Sequence, residues 1–209
     1  MSVYQQLVSV VGAQLREDGF TSPSHAGLLV KPLSGPWRAW ISVAGDTFTL
    51  DPMAGIMNDE LSEIYYRAQA LAGKKLERRI DTPPILMVDL ERLAADCAAC
   101  STKAPWAYRG EILADSVAVD LVDCLRKFAY PFFAKYSSLQ SLLDASKERL
   151  VGYAFPWFAP LILIKLGRMG DAKTYAANYS RHLPDDEPGA EYRNYFNAVL
   201  RLLEPAQLP

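Results

Sequence analysis

Trp37-Arg38-Ala39-Trp40-Ile41-Ser42-Val43-Ala44-Gly45-Asp46-Thr47-Phe48-Thr49-Leu50 is the stretch that decides the fold. Trp37, Ala39, Ile41 and Val43 alternate with Arg38, Trp40 and Ser42. A period of two is that of a strand with one buried face, because successive side chains leave opposite sides of the pleat. Gly45-Asp46 falls between Val43-Ala44 and Thr47-Phe48. Glycine at the first position of a two-residue loop favours a type II′ hairpin turn. Phe48 and Leu50 carry the alternation into the next strand. Upstream, Leu28, Leu29 and Val30 form a short apolar run that ends near Pro32, and Leu33-Ser34-Gly35-Pro36 is turn chemistry. Residues 27–56 are therefore read as an antiparallel meander. Residues 85–88 read as a further strand, and residues 106–112 as one that closes the sheet.

Helical spacing governs most of the rest. Tyr4, Leu7, Val8, Val11 and Leu15 form one stripe that Gly19 ends, with Phe20 packing back on it. Asn58 or Asp59 caps a second helix, with Leu61, Ile64, Tyr65, Ala68 and Leu71 on its apolar face and Gly73 at its end. Residues 89–100 read as a short helix. Leu113, Val117, Leu121, Cys124, Leu125 and Phe128 line a helix that begins near Asp115 and that Pro131 stops. Leu139, Leu142 and Leu143 give a short one. Residues 153–204 read as three helices: one stopping at Gly167, one from Asp171 to just before Pro184, and one from about Ala190 to Leu203. The short Arg168-Met169-Gly170 connection implies an antiparallel helix pair. The expected class is α+β: an antiparallel sheet packed by helices, with a C-terminal helical lobe. Residues 1–145 are expected to form the α+β core domain, and 146–209 a helical extension packed on it.

The 209 residues carry 22 basic and 24 acidic side chains, a net charge of -2, and half of them are apolar. That balance gives no support to nucleic-acid binding, which needs cations to neutralise phosphates. The first twenty residues have no basic residue before Arg16 and do not read as a secretory signal. The most apolar later segment, 153–164, is shorter than the ~20 residues of a membrane span and contains Pro156 and Pro160. Three cysteines, an odd number, suit reduced thiols, so a cytoplasmic location is expected.

The chemistry-bearing residues also have plainer roles. Cys97-Ala98-Ala99-Cys100 has metal-ligand spacing, but zinc needs about four ligands and only Cys124, His25 and His182 remain, all remote in sequence. The pair reads as small core or helix-end residues. His25 lies in a Thr-Ser-Pro-Ser-His loop without a nucleophile motif. His182 suits a helix C-terminus, where positive charge is favourable. Gly73-Lys74 lacks the rest of a phosphate loop. Asp120 and Asp123 read as a solvated helix face. No catalysis, metal or cofactor is expected. Asp185-Asp186-Glu187 is the sharpest charge run, placed between Pro184 and Pro188. It reads either as a solvated loop or as an acidic prong for a basic partner.

Three segments carry a family resemblance. They are Leu15-Arg16-Glu17-Asp18-Gly19-Phe20; the hairpin 37–50 followed by Gly55-Ile56; and the helix 119–128 continuing into Tyr130-Pro131-Phe132-Phe133-Ala134-Lys135-Tyr136-Ser137-Ser138-Leu139. Over roughly residues 1–145 they resemble a widespread bacterial domain of unknown function found beside polymorphic toxins. The resemblance implies an immunity protein that binds a cognate toxin and blocks its active site, and it transfers no catalytic residue. Pro131-Phe132-Phe133 also has a structural use, since two rings can enter the core where helix meets sheet. The alternative function is a small-molecule or peptide-binding module with a pocket lined by Trp40, Trp106 and Tyr108. Neither reading involves nucleic acid or a membrane.

Overall fold

The computed structural model of the chain describes residues 2–22, 27–45, 49–74, 84–95, 106–107, 111–148, 154–183 and 187–203. In chain order these form α1 (Val3–Glu17), β1 (Leu28–Pro32), β2 (Trp37–Gly45), β3 (Thr49–Asn58), α2 (Asp59–Leu71), β4 (Leu86–Asp89), α3 (Leu90–Ala95), β5 (Trp106–Ala107) and α4 (Glu111–Cys124). A π-helical turn (Leu125–Ala129) follows, then α5 (Tyr130–Lys135), α6 (Leu139–Lys147), α7 (Phe155–Lys165), α8 (Met169–His182) and α9 (Glu187–Leu203). All strand pairs are antiparallel, in the order β1-β2-β3-β4, with β5 also on β3. The α+β class with a helical C-terminal lobe is thus the observed architecture.

The period-two reading of β2 holds residue by residue. Trp37, Ala39, Ile41 and Val43 are buried, and Arg38, Trp40, Ser42 and Ala44 are half-buried. The hairpin loop, however, is not the two-residue turn expected at Gly45-Asp46. Gly45 pairs with Leu50, so residues 46–49 separate the paired positions. This register sets Ile41 opposite Ala54 and Ala39 opposite Ile56. Large and small side chains then alternate across the ladder, and all four are fully buried. Side-chain fit across the ladder outweighs the local turn preference.

Pro52 is tolerated inside β3 for a positional reason. The Val43 N–H donates to the Gly27 carbonyl at 2.7 Å, on the β1 side of β2. The Val43–Pro52 pair is therefore one that exchanges no hydrogen bonds, and the proline nitrogen faces away from β2. On that side β4 pairs with residues 53–56 and β5 with 49–50, so position 52 falls between them. Of the strand expected over 106–112, Trp106 and Ala107 form β5 and pair with Leu50 and Thr49, whereas Glu111 and Ile112 open α4; residues 108–110 lie outside the described residues.

Glycines end three helices in the same way. After α1, the Phe20 N–H bonds to the Leu15 carbonyl and the Gly19 N–H to that of Arg16. After α2, Lys74 and Gly73 bond to Gln69 and Ala70. After α7, Arg168 and Gly167 bond to Leu163 and Ile164. This is the Schellman pattern, and the positive φ it requires is found at Gly19, Gly73 and Gly167. At its other end α1 is closed by a capping box between Ser2 and Gln5.

Pro131 does not stop the helix that precedes it. The chain widens into the π-helical turn, the Tyr130 N–H reaches the Leu125 carbonyl, and Pro131 falls in the first turn of α5. In a regular helix a proline ring collides with the carbonyl four residues back, and the wider turn changes that spacing. Phe132 and Phe133 then enter the core, as their position after the proline suggests.

One hydrophobic core runs from α1 and β2 through α4 and α5 into α6, α7 and α9. The C-terminal helices meet the rest largely through α2. Tyr65 stacks on Phe158 with ring centres 5.0 Å apart, and Lys165 donates to Glu60 at 2.9 Å. Lys74 pairs with Glu191. Among the described residues no helix is long and apolar enough to cross a membrane.

Candidate binding cleft at the end of the first helix

The cap on α1 aims a carboxylate. Asp18 is the capping residue, and the left-handed Gly19 turns the chain so that Phe20 folds back on Leu15. Asp18 faces the π-helical turn. Its Oδ2 accepts from Arg126 Nε at 2.9 Å and from the Tyr130 hydroxyl at 2.7 Å. The donors lie 108 and 112 positions away in sequence, and four apart from one another across the widened turn. Burial works to raise the Asp18 pKa. The two hydrogen bonds and the charges of Arg126 and Lys31 outweigh it and hold the carboxyl below its usual range. The Tyr130 phenol is pushed up, first by burial and then by its bond to that carboxylate. An ionised acceptor with two donors is a strong, directional tie.

Beside this tie lies a cleft of about 290 Å³ lined by Phe20, Lys31, Leu33, Ser34, Tyr130, Phe133, Ala134 and Ser137. Its walls carry one cluster of three aromatic rings. Phe20, Tyr130 and Phe133 stand with ring centres 6.1–6.4 Å apart. Lys31 Nζ sits 5.8 Å from the Phe20 ring centre and 5.6 Å from that of Tyr130, within range of cation–π attraction. Ala134 and Ser34 are exposed at the rim.

A second tie of the same kind closes the far end of α5. The Tyr136 hydroxyl donates to Glu148 at 2.6 Å, and Lys135 reaches both oxygens of that carboxylate at 2.9 and 3.0 Å. Helix α5 is thus held at both ends by a tyrosine, a carboxylate and a cation. The cleft floor it supplies, Phe133 and Ala134, lies between them.

The residues singled out in the sequence are placed elsewhere. Trp40 is half-buried on β2, opposite Val30 and Gly55. Trp106 pairs with Leu50, so the two tryptophan positions meet β3 at points five residues apart. Tyr108, Asp185, Asp186, His25, Cys97 and Cys100 lie outside the described residues, as do the side chains of Trp106 and Glu187. Glu187 itself is the first residue of α9 rather than part of the preceding loop. Cys124 is buried on the core side of α4. His182 is exposed at the end of α8, its Nδ1 2.7 Å from the Asn178 carbonyl. Among the described residues no three His, Cys, Asp or Glu side chains gather as a metal site would require.

The cleft was missed as a site, although its signal was present. Phe20 comes from one segment of the family resemblance, 15–20, and Tyr130, Phe133, Ala134 and Ser137 from another, 130–139; Lys31, Leu33 and Ser34 come from outside both. No protein-family model, curated protein or solved structure matches the chain.

Proposed function

We propose that this chain is an immunity protein that binds a cognate bacterial toxin and covers its active site, with the cleft beside Asp18 at the centre of the docking surface. The cleft's size and build are the observation that carries the reading. At about 290 Å³, with an aromatic floor and an exposed rim, it can take one apolar anchoring side chain of a protein partner. Its walls are tied in advance by Asp18, Arg126 and Tyr130, so little ordering is needed on binding. The cytoplasmic, toxin-directed role rests on the resemblance of segments 15–20, 37–56 and 119–139. Asp185, Asp186 and Glu187 are proposed as a peripheral acidic contact for a toxin with a basic cleft. A small-molecule module is the second reading. It is favoured by a larger cleft, about 440 Å³, lined by Ile64, Arg67, Leu161, Ile164, Lys165 and Leu202.

The test is co-expression with the product of the neighbouring gene. Copurification and protection of the cells are expected. Ala134→Trp should fill the cleft from its exposed rim, leave the circular dichroism spectrum unchanged and weaken the complex at least about tenfold. Full protection by Ala134→Trp would remove the cleft from the interface. A neighbouring product that neither harms cells nor binds would defeat the toxin reading.

A further inference from the structure

We propose that the cleft takes the C-terminal apolar residue of a peptide chain, its side chain on the aromatic floor and its terminal carboxylate on Lys31. The inference rests on the cleft being a binding site and supplies the chemistry of its occupant. The floor and walls are Phe20, Leu33, Tyr130, Phe133 and Ala134, so the occupant needs an apolar body. Lys31 is the one cation among the lining residues, and no carboxylate among the described residues forms a salt bridge with it. Asp18 is ion-paired with Arg126 and also feels the charge of Lys31, so the three side chains together carry one net positive charge. Lys31 therefore leaves this corner with one positive charge in excess, held against the rings of Phe20 and Tyr130. Ser34, exposed on the rim, can add a hydroxyl donor.

An internal glutamate would bring the charge but only two methylenes, leaving the ring-lined floor bare. An internal phenylalanine or leucine would fill the floor but bring no charge to balance the net positive corner. A chain terminus joins both groups in one residue. Its carboxylate sits one carbon from the side chain, close to the spacing needed when the cation stands less than 6 Å from the wall rings. Ion pairing in such a half-enclosed corner adds discrimination more than bulk affinity.

The experiment uses the intact chain and acetyl-Gly-Gly-Phe, with a free or an amidated C-terminus, followed by amide NMR shifts. Shifts at residues 20, 31, 130 and 134 are expected, with the free acid binding about fivefold more tightly than the amide. Raising the salt to roughly 0.5 M should weaken the acid and leave the amide unchanged. Lys31→Met, which keeps the apolar stem, should bring the acid down to the amide, and Lys31→Arg should keep the preference. Equal binding of acid and amide would overturn the proposal. So would equal binding of acetyl-Gly-Gly-Gly, or shifts confined to other surfaces. These titrations need no toxin, so their failure is separable from failure of the immunity reading.

Discussion

The Tyr192 hydroxyl donates to the Pro156 carbonyl at 3.1 Å. In a regular helix that carbonyl would be served by the N–H of residue 160, and residue 160 is the proline inside α7. A side chain of α9 thus replaces the hydrogen bond that the α7 sequence removes. Tyr195 makes the neighbouring bond, to the Trp157 carbonyl at 2.8 Å. Both tyrosines are buried, and burial raises their phenol pKa values, so both remain donors through the neutral range.

The first prediction follows from that replacement. Tyr192→Phe leaves a buried carbonyl without a donor and should cost about 1–3 kcal/mol in urea unfolding. With Pro160→Ala in the background, residue 160 regains an N–H, and the same change should cost less than half as much. Equal costs in the two backgrounds would show that the hydroxyl does not substitute for the missing helical bond.

Asp18 should make stability depend on pH in one direction. Its folded pKa is lowered, so its contribution is complete above the unfolded carboxylate range, near ~4, and is lost as pH falls through the folded value. Asp18→Asn should be less stable than the parent by about 1–3 kcal/mol at pH 7. The gap should stay level down to roughly pH 5 and close below pH ~4. A gap that persists undiminished into strong acid would assign the loss to shape rather than charge.

Gly55 should reject any side chain. A β-carbon there would lie 2.7 Å from Pro84 Cβ and 3.0 Å from the Leu86 carbonyl oxygen. The proline ring cannot swing aside as a flexible side chain would. Gly55→Ala is expected to lower stability by about 1–3 kcal/mol, with partial recovery on adding Pro84→Gly. Thermal unfolding of the single and double variants decides it, and a neutral Gly55→Ala would mean that β4 approaches β3 less closely.

The acidic triplet has a kinetic signature. If Asp185, Asp186 and Glu187 steer a basic toxin, changing all three to serine should slow association about tenfold at low salt and flatten its salt dependence. Unchanged association and unchanged protection of cells would leave the triplet with solubility alone.

What the chain determines by itself is local. The alternation in β2, the stripe on α1 and the stops at Gly19, Gly73 and Gly167 were legible because each is settled within a few residues, by the pleat, the helical pitch or the positive φ that glycine tolerates. The helical lobe was legible for the same reason. Tertiary structure decided whatever required distant segments to agree. The β2–β3 register departed from its turn preference because Ile41 fits Ala54 and Ala39 fits Ile56. Pro131 continues rather than ends its helix, by way of the π-helical turn on which Arg126 sits. The cleft needs the cap of α1 to meet that turn across more than a hundred residues. No periodicity encodes such a meeting, because it is set by how the apolar faces of α1 and α4 pack together rather than by the conformation of either segment.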